Sequence, residues 1–268
     1  LSYWKWFLIS IFACITIAAI YLFYALPQFK VETSILFKDD RRGGGASEMK
    51  VFKEMGIVTQ KNNVDNEIEI LKKSLIVESV VRKLGIYASY TEIKPFKIAQ
   101  ITGLDKFIPG FPKRKTRILY GDETPVLINI PENVLNNLEK NIVFDVMAEP
   151  TGNYEFSGSY NDKKYHIKAT SSDSVVIFPF GSLQMKERKI KPAESMSVRV
   201  EIQHPMNVAA RYLNSLKIEL TSKNSSVANL ALTCPNGMLG RDFLKEYIDT
   251  YNEQGIRDQI ELADKTSQ

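Results

Sequence analysis

Cysteine and histidine are nearly missing from this chain: its 268 residues hold only Cys14, Cys234, His166 and His204. No CxxC pair exists, so neither a disulfide framework nor a thiolate metal pair is implied. Neither histidine has a second His or Cys at zinc-ligand spacing, and no G-x-S-x-G or H-E-x-x-H surrounds either one. Both are read as structural or surface residues. The triplet Gly43–Gly45 is followed by no GK[ST] and opens no G-x-G-x-x-G helix, so it reads as a solvated loop rather than a phosphate cradle. Asp39 with Asp40, and Glu67 with Glu69, lack the loop spacing of a calcium site and read as exposed charges. Two residues apart, Glu67 and Glu69 also leave a helix in different directions. Catalytic, cofactor and metal sites are therefore all expected to be none. The excess of one charge sign is small too: Lys and Arg total 35 against 31 for Asp and Glu, a net +4 without one long basic run. That balance argues against a nucleic-acid partner.

What the sequence does contain is apolar length. Hydrophobic residues make up 44% of the chain, enough for one generous domain or two modest ones. Phe7–Leu26 carries no charge, and at about 1.5 Å per residue it covers roughly the 30 Å hydrocarbon core of a bilayer. Tyr3, Trp4 and Trp6 at one end and Tyr21 and Tyr24 at the other are placed like interfacial aromatics, and Pro27 stops the helix. A retained membrane anchor is expected. A signal peptide would have a shorter apolar centre and a small-x-small cleavage site. With Lys5 inside, the residues after Pro27 would lie outside the cytoplasm.

Beyond Pro27, Phe29–Lys38 has strand character and "DDRRGGGAS" breaks it. Val64–Leu84 returns to helical spacing, with Val64, Ile68, Leu71, Leu75, Val80, Val81 and Leu84 near one face, Asn63 or Asp65 as cap and Gly85 as stop. From Ile86 to Val200 the runs "TPVLINIP", "IVFDVMAE", "NYEFSGSY", "KYHIKAT" and "SVVIF" read as strands between turn-rich pieces. "PFKIAQITGLDKFIPGFPKRKTRIL" reads as an irregular surface excursion ending in a basic cluster. "NVAARYLNSL" predicts a short helix, "KIELTS" and "VANLALTC" two strands, and Gly237 to the end a long helix with Leu239, Phe243, Tyr247 and Tyr251 every fourth residue. The pattern reaches Gln268 without a stop signal, and the chain opens on Leu1, so both ends are expected to be cut from a longer protein.

The ordered set of anchor, strand "VETSILFKDD", helix "NEIEIL-KKSLIVESVVRKLGI", strand pair "SLKIELTSKNSSVANLAL" and helix "DFLKEYIDTYNEQ" resembles the chain length determinant family, the Wzz-type polysaccharide co-polymerases. Its style is similar to the branch fused to a tyrosine autokinase in capsule and exopolysaccharide systems. The nearest matches are Asn66, Glu67, Ile68 and Leu71 in the first helix and Ser215–Leu232 later.

The resemblance implies an α+β protein: a transmembrane helix (1–28), a membrane-proximal α/β base in two parts (29–85 and 201–236), a β-rich insertion (86–200) and the start of a long extended helix (237–268). It further implies a non-enzymatic inner-membrane protein with a periplasmic domain. Such a protein would form a ring-like homo-oligomer, contact the bilayer, the polysaccharide polymerase, the outer-membrane export machinery and polysaccharide itself, and regulate the length or export of capsular, exo- or O-antigen polysaccharide. One alternative is the periplasmic sensor part of a tyrosine autokinase whose catalytic domain lies beyond residue 268. Another is a membrane-fusion-like export adaptor.

Overall fold

The computed structural model describes residues 3–37, 60–95, 113–170, 175–187, 194–222 and 225–266. Asp39, Asp40, the Gly43–Gly45 loop and most of the Pro95–Leu119 excursion lie outside these residues.

The first body is a three-stranded antiparallel sheet in the order β1 (Phe29–Leu36), β12 (Val227–Cys234), β11 (Leu216–Leu220). Period-two alternation decides its faces. Leu230 and Leu232 are fully buried on one side, while Lys30, Glu32, Lys217 and Glu219 occupy the other. Two helices cover the apolar side, α5 (Pro205–Ser215) and α6 (Gly237–Thr266), and α3 (Ser74–Leu84) packs against both of them. Helix α6 sits unusually close to the sheet because residue 240 is glycine. A Cβ there would lie 2.6 Å from Cys234 Sγ and 2.8 Å from Val31 Cγ2.

The second body is β-rich. A six-stranded antiparallel sheet runs β3 (Lys113–Leu119), β2 (Ala88–Pro95), β10 (Met196–Ile202), β5 (Ile142–Ala148), β6 (Asn153–Tyr160), β7 (Lys163–Thr170). A three-stranded sheet of β4 (Val126–Asn129), β9 (Gly181–Glu187) and β8 (Val175–Phe178) packs against it through aromatic rings. Phe178 lies 5.3 Å from Phe144 and 5.4 Å from Phe156, between ring centroids. The β6–β7 hairpin closes through Asn161 and Asp162 at φ 49° and 61°. Two successive positive φ values match the right-handed strand twist, and Asn and Asp tolerate them better than other side chains. A short helix, α4 (Glu132–Asn136), follows β4.

Three expectations are corrected. The predicted membrane span at Phe7–Leu26 is a helix, α1 (Trp4–Tyr24), but no helix among the described residues is long and apolar enough to cross a membrane. The helix ends at Tyr24, and the backbone turns extended at Ala25 before Leu26 is reached. The long extended helix expected over 237–268 is not a free extension. The first half of α6 is a core element, with Leu239, Phe243, Leu244 and Tyr247 buried against the sheet and α3, and its described residues past Tyr251 are mostly exposed.

The single helix expected over Val64–Leu84 is two, α2 (Gln60–Leu71) and α3, separated at Lys72 and Lys73. Lys73 is extended at φ −67°, ψ 129°. This break resets the helical phase, so Leu75 is 67% exposed while Ile76, Val77, Val80 and Val81 form the buried face. Gly85 then stops α3 as expected, at φ +67°, its N–H bonded to the Arg82 carbonyl.

Candidate functional site

The two bodies meet at a cavity of about 490 Å³ built from six separate stretches of chain. The C-terminal end of α3 brings Leu84–Ile86, and β2 brings Ser89 and Thr91. The segment after β3 adds Tyr120 and Gly121, and β10 adds Glu201. Helix α5 contributes Arg211, Tyr212 and Ser215. The end of β12 and the start of α6 contribute Thr233, Cys234, Leu239 and Asp242. Residues Leu26 and Gln28, directly after α1, close one side.

Local folding fixes the polar walls. Helix α5 begins at Pro205, whose missing N–H is no loss at a first helical position, and the His204 Nδ1 accepts the Met206 N–H at 3.2 Å as cap. One face of α5 goes into the core through Val208 and Ala209, leaving Arg211 exposed beside the cavity. Tyr212 stacks on Phe243 of α6 with ring centroids 4.7 Å apart, and burial pushes its hydroxyl well above the usual range. Helix α6 starts under Asn236, whose Oδ1 accepts the N–H groups of Met238 and Leu239 at 3.0 and 3.1 Å. Cys234 is an inert wall: burial pushes its thiol up, and its Sγ donates to the Asn236 carbonyl at 3.1 Å.

Several cavity groups are already engaged. Glu201 Oε1 accepts from Asn141 at 3.1 Å and from Gln203 at 2.6 Å. Ser89 Oγ donates to the Glu201 carbonyl at 3.4 Å. In contrast, the Arg211 guanidinium, the Asp242 carboxylate and the Tyr212 hydroxyl have no hydrogen-bond or ion-pair partner among the described residues.

The candidates raised by the sequence are dispersed. His166 stands on β7, 53% exposed, with Nε2 3.9 Å from Glu155. His204 is a helix cap. Glu67 receives the Tyr251 hydroxyl at 2.5 Å, while Glu69 is exposed, so the two carboxylates act separately. Arg211, Tyr212 and Asp242 escaped the sequence reading. They occupy positions between the apolar residues that set each helix's periodicity, and only the packing of α5 against α6 brings them to one cavity.

Helix α1 is a second notable surface. Trp4, Phe7, Phe12, Ile15, Ile17 and Tyr21 are all more than 60% exposed.

In comparison with known proteins, residues 2–84 match the Wzz family model, described as chain length determinant protein. The matched stretch holds α1, β1, α2 and α3. No curated protein matches the chain. The family match supports a chain length determinant role in polysaccharide biosynthesis and a membrane-associated protein.

Proposed function

From the premise that residues 2–84 are a Wzz chain length determinant domain, we propose that this protein regulates the length of a surface polysaccharide as a non-catalytic, self-assembling partner of the polymerase and export machinery. The carrying observation is the family match. Its residues supply one edge strand and two helices of the base, and they need β11, β12 and α6 to complete it. On this reading residues 29–85 and 201–236 form the base and 86–200 a β-rich insertion that gives this chain its own outward surface. The base acts in a ring-like homo-oligomer at the periplasmic face of the inner membrane. The exposed apolar side chains of α1 favour membrane association, because an apolar surface of that size is stabilised only when something covers it.

The test is complementation. A strain lacking its chain length determinant, given this protein, should change from an unregulated to a narrowed glycan length distribution on a sizing gel. The protein extracted in mild detergent should elute as an oligomer. An unchanged glycan distribution with well-expressed protein refutes the role, and a monomer that still narrows it refutes the assembly mechanism.

A further inference from the structure

We propose that the cavity between the two bodies binds a neutral saccharide unit, held by Arg211, Asp242 and Tyr212. This inference rests on the polysaccharide reading above and names the chemistry that reading would place at one site.

The volume, about 490 Å³, lies in the range that encloses a small organic ligand. Its walls combine apolar side chains such as Leu119 and Leu239 with the hydroxyls of Ser89, Thr91, Ser215 and Thr233. The three unpartnered groups differ in kind. A guanidinium can only donate, a carboxylate can only accept, and a phenol does both. A ligand that satisfies all three must offer both donors and acceptors in close succession. A polyol does so, because every hydroxyl donates once and accepts through two lone pairs. Burial keeps the Tyr212 phenol protonated, so it stays a donor throughout the neutral range.

Charge then separates a neutral sugar from an anion. The cavity lining holds one cation, Arg211, against two carboxylates, Glu201 and Asp242. With more negative than positive charge, the walls repel phosphate or a uronic acid and leave a neutral polyol favoured. The sugar's C–H faces have apolar partners in Leu119 and Leu239, while its hydroxyl edge meets the polar wall. Asp242 and Arg211 stand on different helices, so occupancy would tie α5 to α6 within the first body.

Ligand-observed saturation-transfer NMR on the whole chain tests the proposal, with lactose, inorganic phosphate and triglycine as probes. Lactose should bind with a dissociation constant on the order of 1 mM. Asp242→Asn, at a half-buried position, and Arg211→Gln, at an exposed one, should each weaken it roughly tenfold. Ser215→Trp should block the cavity, and circular dichroism checks that each variant keeps its fold. Absence of lactose signal, or lactose binding that both conservative variants leave unchanged, overturns the site. Phosphate or triglycine binding in place of lactose overturns the ligand class.

The complementation assay separates this from the functional reading. Restored glycan length without lactose binding removes the saccharide site and leaves the chain-length role. Lactose binding that the variants abolish, in a protein that does not restore glycan length, removes the role and leaves the site.

Discussion

The Tyr247 hydroxyl donates to the carbonyl of Leu71, 176 residues earlier in the chain. Leu71 is the last residue of α2, and its carbonyl would accept a backbone N–H if the helix ran on. Because α3 begins afresh at Ser74, that oxygen is released, and a phenol from α6 takes the place of the missing turn. Both residues are fully buried. Tyr247→Phe therefore strands a buried carbonyl, and urea denaturation should show a loss of about 1–3 kcal/mol. Wild-type stability in the variant would mean that water reaches Leu71.

Tyr165 sets up the opposite case. Its hydroxyl is buried among rings, with no hydrogen-bond partner among the described residues, and burial pushes its pKa up to about 12. It rests over Gly158, where a Cβ would come within 2.6 Å of the oxygen. Tyr165→Phe removes an unpaired polar atom and keeps the ring, so stability should hold or rise by about 1 kcal/mol. A loss of that size would reveal a bond to the hydroxyl. The pair of Tyr→Phe changes thus differs in sign, and the same denaturant series reads both.

Gly240→Ala should destabilise the base although alanine suits a helix interior better by about 1 kcal/mol. The new methyl would meet Val31 and Cys234 well inside contact distance, an overpacking that typically costs about 1–3 kcal/mol. Cys234→Ala removes one of the two obstacles, so the double variant should recover part of the loss. Additive losses in the double-mutant cycle would show that the helix simply moves away.

Much of the α/β pattern could be read in advance, because single-face burial writes itself as alternation. β12 alternates strictly, with Ala228, Leu230, Leu232 and Cys234 inward, and α6 repeats Leu239, Phe243 and Tyr247. The helix break at Lys72–Lys73 left no such mark. Ile68, Leu71 and Leu75 keep helical spacing, and the interruption is compensated by Tyr247, far away in sequence. The cavity was invisible because Arg211 and Asp242 look like ordinary surface charges until two helices are placed side by side.

An ionic tether joins α3 to α6 and makes their docking pH-dependent. Lys83 Nζ lies 3.0 Å from Glu246 and 2.9 Å from Glu253. The hydrogen bond from Lys83, followed by its charge, holds Glu253 below its ordinary value of 4.5. The bond to Glu253, then that to Glu246, raises Lys83 above 10.5. A depressed carboxyl contributes stability above its unfolded value and loses it as pH falls through the folded one. A raised lysine contributes below its unfolded value and loses the contribution as pH rises through the folded one. Glu253→Gln should therefore melt slightly below wild type at neutral pH, and the two melting curves should converge in acid, below 4.5, and again in alkali, above 10.5. Solvent exposure keeps the effect small. A gap that persists at low pH would mean that glutamine disturbs packing instead.

The pairing of β1 with β12 also sets a timetable. Ser34 on β1 donates at 2.8 Å to Asn229 on β12, 195 residues later, and β12 is the one strand that pairs with β1 among the described residues. At a translation rate of about 5–20 residues per second, β1 leaves the ribosome roughly 10–40 s before its partner exists. The hairpins of the β-rich body pair at much shorter range and have that interval to themselves. The strand nearest the start of the chain is thus among the last to be seated, and until then its open edges must be kept from other nascent chains.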